Sequence, residues 1–459
     1  MIPRDLLEKY NQSLPRYTSY PPANYFNTDI DSDGYRKLLI DSNSNEMSNI
    51  SLYIHIPYCH KICFYCGCNS IKYPKQASVS EYIDAVLKEI EMVRSLLDPK
   101  RKVSQLHYGG GTPNAIPVEY IEKINALIFK EFDFIENPEI AIECHPAHLT
   151  EEYMTRLVKA GFNRFSLGIQ DFDAKVLKTA NREPSKLPLD IITNYLRELD
   201  PKIKINFDFI YGLPHQTAES FTDSIRKAIP FSPDRIVTFS YAHVPWFKKH
   251  QLALERAGLP DAESKIQIFE SAYKTLLENG YSDIGMDHYA KGDDELLLAL
   301  QHNELHRNFQ GYCTRRTTGQ VYAFGVSSIS QLFDSYIQNT KSINEYIETV
   351  SQGKFPIEKG YRLNFNEIVV RDVINHIMCN RFMLWSEIAG RFNISVEEIK
   401  KITVFDPSKL QTLIADELLE IDEDGITITS KGRFFIRNIA VMFDPAMAIP
   451  SDKKFSKSI

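Results

Sequence analysis

From residue 50 to about residue 290, short apolar runs alternate with longer stretches of helical period. That alternation marks βα units, whose compact solution is a parallel sheet covered by helices. The strands it predicts are 51–56, 104–108, 140–144, 165–169, 205–211, 236–241 and 283–286. Helices are expected over 80–97, 118–132, 151–159, 219–229 and 263–279; in the first, Tyr82, Val86, Ile90, Val93 and Leu97 recur at helical spacing. Six or seven such units predict an α/β fold, an open or partial (β/α)6 TIM-like barrel. Its catalytic groups are expected at the C-terminal ends of the strands.

The flanks read differently. Residues 1–49 carry no βα pattern, and the proline-bounded stretch from Pro15 to Pro21 reads as an extended arm. With the barrel over 50–290, residues 291–360 are expected to extend it on the substrate side, and 361–459 to form a mostly helical C-terminal domain. There, helical segments near 367–378, 396–402 and 409–418 precede a hairpin of 419–421 and 426–429, then a helix from about Ser430. Helices followed by a small wing resemble a winged-helix module. A net charge of −7 and the lack of a basic recognition face favour a lid over a DNA reader, so no nucleic-acid partner is expected. No apolar run reaches the ~18 residues of a membrane span. Residues 1–16 are polar and charged, with no apolar signal core. The expectation is a reduced, cytoplasmic protein, monomeric and without a membrane span.

Three thiols, Cys59, Cys63 and Cys66, crowd into eight residues just after the first strand. Soft thiolates this close select an iron–sulfur cluster or zinc. Zinc sites usually close a tetrahedron with a second knuckle or a pair of histidines, and none follows at ligand spacing. Three thiolates on a four-iron cluster leave one iron open to a small molecule. This C-x-x-x-C-x-x-C spacing resembles that of the radical S-adenosylmethionine (SAM) enzymes. Cys144, Cys313 and Cys379 lack ligand spacing and read as ordinary thiols.

Later strands each end in polar or glycine residues. Gly109, Gly110 and Gly111 with Thr112 follow the second strand, and bare backbone there can approach a ligand closely. Glu143 ends the third, Gln170 the fourth, with Asn181 and Arg182 soon after; Asp208 lies on the fifth, and Ala242 and His243 follow the sixth. One such residue is ordinarily a helix cap. A succession on one rim could grip ribose hydroxyls and a methionine ammonium, with Arg182 on a methionine carboxylate.

Taken with the Arg16–Pro21 stretch, the Cys66-Gly67-Cys68 ending, the Tyr211–Pro214 and Gly285–His288 segments and the His306–Tyr312 run, the chain resembles the oxygen-independent coproporphyrinogen III oxidase (dehydrogenase) family of radical SAM enzymes. The resemblance covers nearly the whole length. It implies one [4Fe–4S] cluster on Cys59, Cys63 and Cys66, and two SAM molecules side by side. Tyr53, Gly110 and Glu143 would hold the iron-bound SAM, with Ile329 lining the same space. Tyr65, Gly111, Thr112, Gln170, Arg182, Asp208 and Ala242 would hold the second. Phe309 and Gln310 would stand near the reaction centre and, with Glu143, serve catalysis. Arg16 and Arg307 would meet substrate carboxylates, and Cys68 would stay off the cluster. The implied reaction turns two propionates of coproporphyrinogen III into vinyl groups, giving protoporphyrinogen IX. It needs an electron donor such as flavodoxin or ferredoxin and an electron acceptor that the sequence does not name. The alternatives are a haem-binding or haem-delivery relative, or a radical SAM enzyme of another tetrapyrrole. Relatives of the haem-delivery kind typically lack the Cys68 equivalent and the long arm, both present here. Cys144 and His145, after Glu143, depart from what relatives often carry.

Overall fold

Six parallel strands form the centre of the computed structural model, which describes residues 2–44, 49–74, 76–314, 320–448 and 455–457. They are β1 (Asn49–Ile56), β2 (Lys102–Gly110), β3 (Phe134–Cys144), β4 (Arg164–Gln170), β5 (Lys204–Tyr211) and β6 (Arg235–Ser240), paired in that order. Alternation sets the two faces. In β1, Ile50, Leu52, Ile54 and Ile56 are at most 1% exposed and join the main core, which includes Tyr82, Val86, Ile90 and Val93 from the helix Gln76–Arg94. The odd residues Tyr53 and His55 point the other way, and Gln105, His107, Glu139, Glu143, Ser166, Asn206 and Asp208 fall on that inner side by register.

The inside of this sheet is therefore polar. Toward the strand starts, Arg164 Nε donates to Glu139 Oε2 at 2.6 Å and Arg235 Nε to Asp294 Oδ2 at 2.8 Å, while Gln105 Nε2 donates to Glu139 Oε1 at 2.8 Å. Burial works to raise the Glu139 carboxyl, but the guanidiniums of Arg164 and Arg235 outweigh it and hold the group far below its ordinary range. This ion-pair floor closes one end of the barrel, and the strand C-termini are left to the site.

The sheet stays open. Beyond β6 come His288–Lys291 and Tyr281–Gly285, both antiparallel, so the expected seventh unit at 283–286 is a hairpin and not a further βα unit. Met286 takes a left-handed backbone (φ 48°) at its turn. On the other edge β1 gains a parallel neighbour, Gln320–Phe324, followed by antiparallel Ile329–Gln331, Ser335–Asn339 and Ile357–Arg362. The sequence reading did not foresee these edge strands, nor the helix Leu189–Leu199 between β4 and β5.

Residues 11–31 are largely irregular and lie between helices Arg4–Tyr10 and Ser32–Asp41, the latter capped by Asp31. The C-terminal region packs Phe365–Cys379 and shorter helices around a second apolar cluster, with a three-stranded sheet of Phe382–Leu384, Gly425–Ile428 and Leu419–Ile421. The helix expected from Ser430 begins instead as a 3-10 turn, Gly432–Phe435, that leads into Ile436–Ala440. Leu6, Leu7, Tyr10, Tyr17 and Tyr20 belong to the same cluster, so the arm and the C-terminal region share a core.

Candidate functional site

The cysteine loop leaves β1 at Ile56 and is tied down from three sides. The Phe64 N–H donates to Ala180 O at 2.9 Å and Asn181 Nδ2 to Ile62 O at 2.8 Å, both from the segment after β4. Residues after β6 supply three more bonds: Lys248 Nζ to Cys68 O at 2.6 Å, His250 Nε2 to Cys66 O at 2.8 Å, and Gln251 Nε2 to Tyr65 O at 3.1 Å. From below, the glycines press against it. A Cβ on Gly111 would lie 2.6 Å from Pro57 O and 3.0 Å from Cys59 Sγ, so only bare backbone fits.

Cys59 and Cys63 are buried and Cys66 is half-buried. Cys59 Sγ lies 3.3 Å from Thr112 Oγ1, and Arg182 Nη1 lies 3.8 Å from Cys63 Sγ. Burial pushes the Cys59 thiol up to about 11, whereas the Cys68 thiol, hydrogen-bonded to Cys66, pulls Cys66 down to about 6. Three soft donors on a fixed loop, a close glycine floor and a guanidinium at hand fit a thiolate-held cluster. One more feature fits a bound ligand: Gln170, whose backbone is left-handed (φ 71°), keeps its buried Oε1 without a partner.

Around the loop the rim falls into two groups. In the first, His107 Nε2 donates to Glu143 Oε1 at 3.0 Å, and the Tyr53 ring stacks on His107 at 5.9 Å between centroids. Tyr53 OH in turn donates to His55 Nδ1 at 3.3 Å, because His55 Nε2 donates to Asn69 O. Glu143 and the Tyr53 hydroxyl both crowd the place a Gly109 side chain would take, and Gly110 (φ 118°) allows no Cβ beside Ile56 O. The Glu143 side chain is 45% exposed. In the second group Arg182 donates to Gly168 O and neighbours Tyr65, whose hydroxyl is held up by burial. Ser166 Oγ donates to Asp208 Oδ2 at 2.6 Å, and burial raises that carboxyl to about 7. Ala242 presents its carbonyl to Gln251 Nε2 at 3.2 Å.

Phe309, Gln310 and Ile329 come from outside the six central strands. Phe309 follows the strand Leu305–Asn308; its ring lies edge-on to Phe26 and Tyr336, at 6.5 and 5.9 Å, in a small cluster that Ile329 joins. Phe309 and Gln310 line a cavity of about 290 Å³ roofed by the arm and the C-terminal helix, with Arg16, Arg307, Tyr211 and Ser240 on its walls. The sequence reading missed His107, Ser166 and the three loop pins.

His145, His148 and Glu183 bring ligand atoms within 4.8 Å of one another. Burial, then neighbouring cations, hold His148 at about 4 and His145 lower still, so both rings are neutral at pH 7. His145 Nδ1 accepts the Ala147 N–H at 3.1 Å. Its proton therefore sits on Nε2, where it can be donated but leaves no lone pair for a metal.

Residues 53–228 match the radical SAM superfamily and 365–435 the HemN C-terminal domain. The oxygen-independent coproporphyrinogen III oxidase of Synechocystis sp. is 40% identical over 457 residues, 99% of this chain and 97% of that protein. The enzyme of that name from Escherichia coli is 38% identical over 96% of this chain and 94% of its own length. A solved structure of Escherichia coli coproporphyrinogen III oxidase, described as a radical SAM enzyme, superposes with a TM-score of 0.88 at 36% identity, covering 97% of this chain and 99% of that one. Among the described residues no helix is long and apolar enough to cross a membrane. Radical SAM membership implies a [4Fe–4S] cluster and SAM. With full-length relatives at this identity, the chain belongs to the oxygen-independent coproporphyrinogen III oxidase family of radical SAM enzymes.

Proposed function

We propose that this chain converts coproporphyrinogen III to protoporphyrinogen IX by oxidative decarboxylation of two propionates. Each propionate gives up a β-hydrogen atom, CO₂ and one electron, and becomes a vinyl group. The observation that carries the reading is the rim itself: the cysteine loop, Gly109–Gly111, Glu143, Gln170, Arg182 and Asp208 share one end of the barrel. Once bound, the cluster and SAM supply the electron and the carbon radical that takes the β-hydrogen.

Cys59, Cys63 and Cys66 are the proposed cluster ligands, which leaves Cys68 to shape the loop. Tyr53, Gly110 and Glu143 would receive the first SAM beside Ile329. There His107 fixes one Glu143 oxygen and leaves the other free to accept from an ammonium. A second SAM would meet Tyr65, Gly111, Thr112, Gln170, Arg182, Asp208 and Ala242. Gln170 Oε1 would accept from it, and Arg182 would hold its carboxylate against the thiols. Phe309 and Gln310 would keep the reacting propionate near the strand ends and water away from it.

The proposed division is an arm over 1–49, the catalytic barrel over 50–290, its extension over 291–360 and a lid over 361–459. The protein would work as a cytoplasmic monomer, fed by flavodoxin or ferredoxin and drained by a separate electron acceptor. One anaerobic assay tests the reaction: reconstituted protein reduced with dithionite, SAM, coproporphyrinogen III and an added one-electron carrier to take the released electrons, with tetrapyrroles read by mass. Loss of two carboxyl groups per macrocycle is expected. SAM cleavage with the tetrapyrrole left intact would refute the assignment.

A further inference from the structure

Cations reach the roofed cavity from four separate elements. Arg16 comes from the arm, Lys265 from the helix Ala262–Glu278, Arg307 from the strand Leu305–Asn308, and Arg437 from Ile436–Ala440. Two carboxylates line the same space: Asp283 pairs with Arg433 at 2.7 Å, and Asp287 pairs with His288 at 2.8 Å while attracting Arg16 and Arg307 from beyond ion-pair distance. Among the described residues, none of the four cations forms an ion pair within 4.0 Å. They weaken one another instead. Burial, then Arg16 and Arg437, lower the Lys265 ammonium to about 8; burial, then Arg16 and Arg307, lower Arg437 to about 9.

Their hydrogen bonds separate them. Arg437 spends four of its five N–H donors on the carbonyls of Leu14, Pro15, Ser456 and Lys457, so it braces the arm against the C-terminal tail. The other three have spare donors. Arg16 makes one long bond, Nε to Ser456 Oγ at 3.4 Å, and Lys265 one at 3.3 Å to Tyr241 O. Arg307 spends Nη1 on Met286 Sδ and Arg16 O and keeps a buried Nε without an acceptor. Beside it Asn308, 2% exposed, uses Oδ1 to accept the Gln310 N–H and leaves Nδ2 unmatched. Unmatched buried donors next to unpaired cations call for an anion. The remaining wall is aromatic, with Tyr211, Phe239, Phe269, Phe309 and Phe434.

We propose that Arg16, Lys265 and Arg307, with Asn308 Nδ2, form the carboxylate-recognition face for the macrocycle, while Arg437 is a brace that touches no substrate. The proposal rests on the function given above and adds a selectivity to it. A face with three unpaired cations holds a tetracarboxylate better than a dicarboxylate. Decarboxylation at two propionates halves the charge of the macrocycle, so the product is held less tightly than the substrate and leaves.

Two unreactive fluorescent ligands test this: coproporphyrin III, with four carboxylates, and mesoporphyrin IX, with two. Losing one charge-assisted contact is expected to weaken coproporphyrin binding about ten- to a hundredfold in Arg16→Gln, Lys265→Met and Arg307→Gln. Mesoporphyrin binding should change less, and the charge-conserving Arg307→Lys should restore part of the loss. Iron–sulfur absorption of each reconstituted variant serves as the check on folding. Wild-type coproporphyrin affinity in folded Lys265→Met and Arg307→Gln overturns the proposal, as does equal wild-type affinity for the two porphyrins. If the wild type binds coproporphyrin in this cation-dependent way but fails to decarboxylate coproporphyrinogen III, the functional reading falls and the carboxylate face stands.

Discussion

Gly111→Ala places one methyl group where the cysteine loop and the glycine floor meet. The added Cβ would lie 2.6 Å from Pro57 O and 2.7 Å from its carbonyl carbon, against an ordinary contact of 3.4 Å or more, so the two backbones must part by up to about 0.8 Å. Neither backbone yields freely. Pro57 O already accepts the Ile71 N–H at 2.8 Å, and the Gly111 N–H donates to Ile56 O at 2.8 Å. Overpacking of this kind costs about 1–3 kcal/mol, which a barrel with a core of this extent survives. The site does not, since the displaced segment carries Cys59 two residues on, and a shift near 1 Å at reacting groups costs roughly a hundredfold in rate. Gly111→Ala should fold, with a near-normal circular dichroism spectrum and thermal midpoint, yet lose iron content or cleave SAM about a hundredfold more slowly. The control is Gly390→Ala, on the helix Trp385–Phe392, where a Cβ meets nothing within 4 Å and alanine suits the helix better. Full iron content and wild-type SAM cleavage in Gly111→Ala would refute the reasoning.

Glu143→Gln should keep the His107 contact in outline but lose the charge that meets an ammonium, weakening SAM binding about tenfold or more by calorimetry while iron content holds; unchanged affinity would make Glu143 a cap only. Cys68→Ser should assemble a full cluster, judged by iron and sulfide content and absorption, because a fourth thiolate would fill the iron that SAM needs; loss of the cluster would make Cys68 a ligand. Glu89, 1% exposed, accepts from the Gly325 N–H, Asn339 Nδ2 and Tyr346 OH, and burial raises its carboxyl from 4.5 to about 7. The folded state therefore binds more protons than the unfolded one between those values, and the Glu89 contribution, full below pH 4.5, is lost as pH rises through 7. Urea unfolding at pH 5 and pH 8 should show the advantage of wild type over Glu89→Gln shrinking, by an amount on the order of 3 kcal/mol; an advantage that grows with pH would reverse the sign.

The barrel was readable because its strands bury one face against helices and so repeat with period two. β1, with Ile50, Leu52, Ile54 and Ile56 alternating with Tyr53 and His55, shows why its limits fell within two residues of expectation. Gln320–Phe324 shows the opposite case: all five residues are buried, and a short strand covered on both faces carries no period to read. The site divides in the same way. Cysteines and glycines at strand ends announce themselves, since few other roles need them at that spacing. Lys248, His250 and Gln251 do not, because a polar residue in an irregular segment reads the same whether it meets solvent or a carbonyl 180 or more residues away. The roles of Lys265 and Arg437 were not legible for a related reason: a single charge on a helix is ordinary until the fold sets it beside others.

The Arg437 brace has a consequence for the order of assembly. Its guanidinium takes acceptors from Leu14 and Pro15 on one side and from Ser456 and Lys457 on the other, so residues separated by nearly the whole chain meet at one group. During synthesis the barrel strands up to Ser240 can pair as they come, whereas this junction waits for Ser456 and Lys457, far along the chain from Ser240. Until then the stretch at Leu14 and Pro15 lacks the link to Ser456 and Lys457 that Arg437 provides, although Asn27 can already pair with Gly360. The cavity the arm roofs thus closes after the cysteine loop has its supports from the segments that follow β4 and β6. The cluster loop can therefore be held in place while the roof over the cavity is still apart, which leaves a path for iron and sulfide.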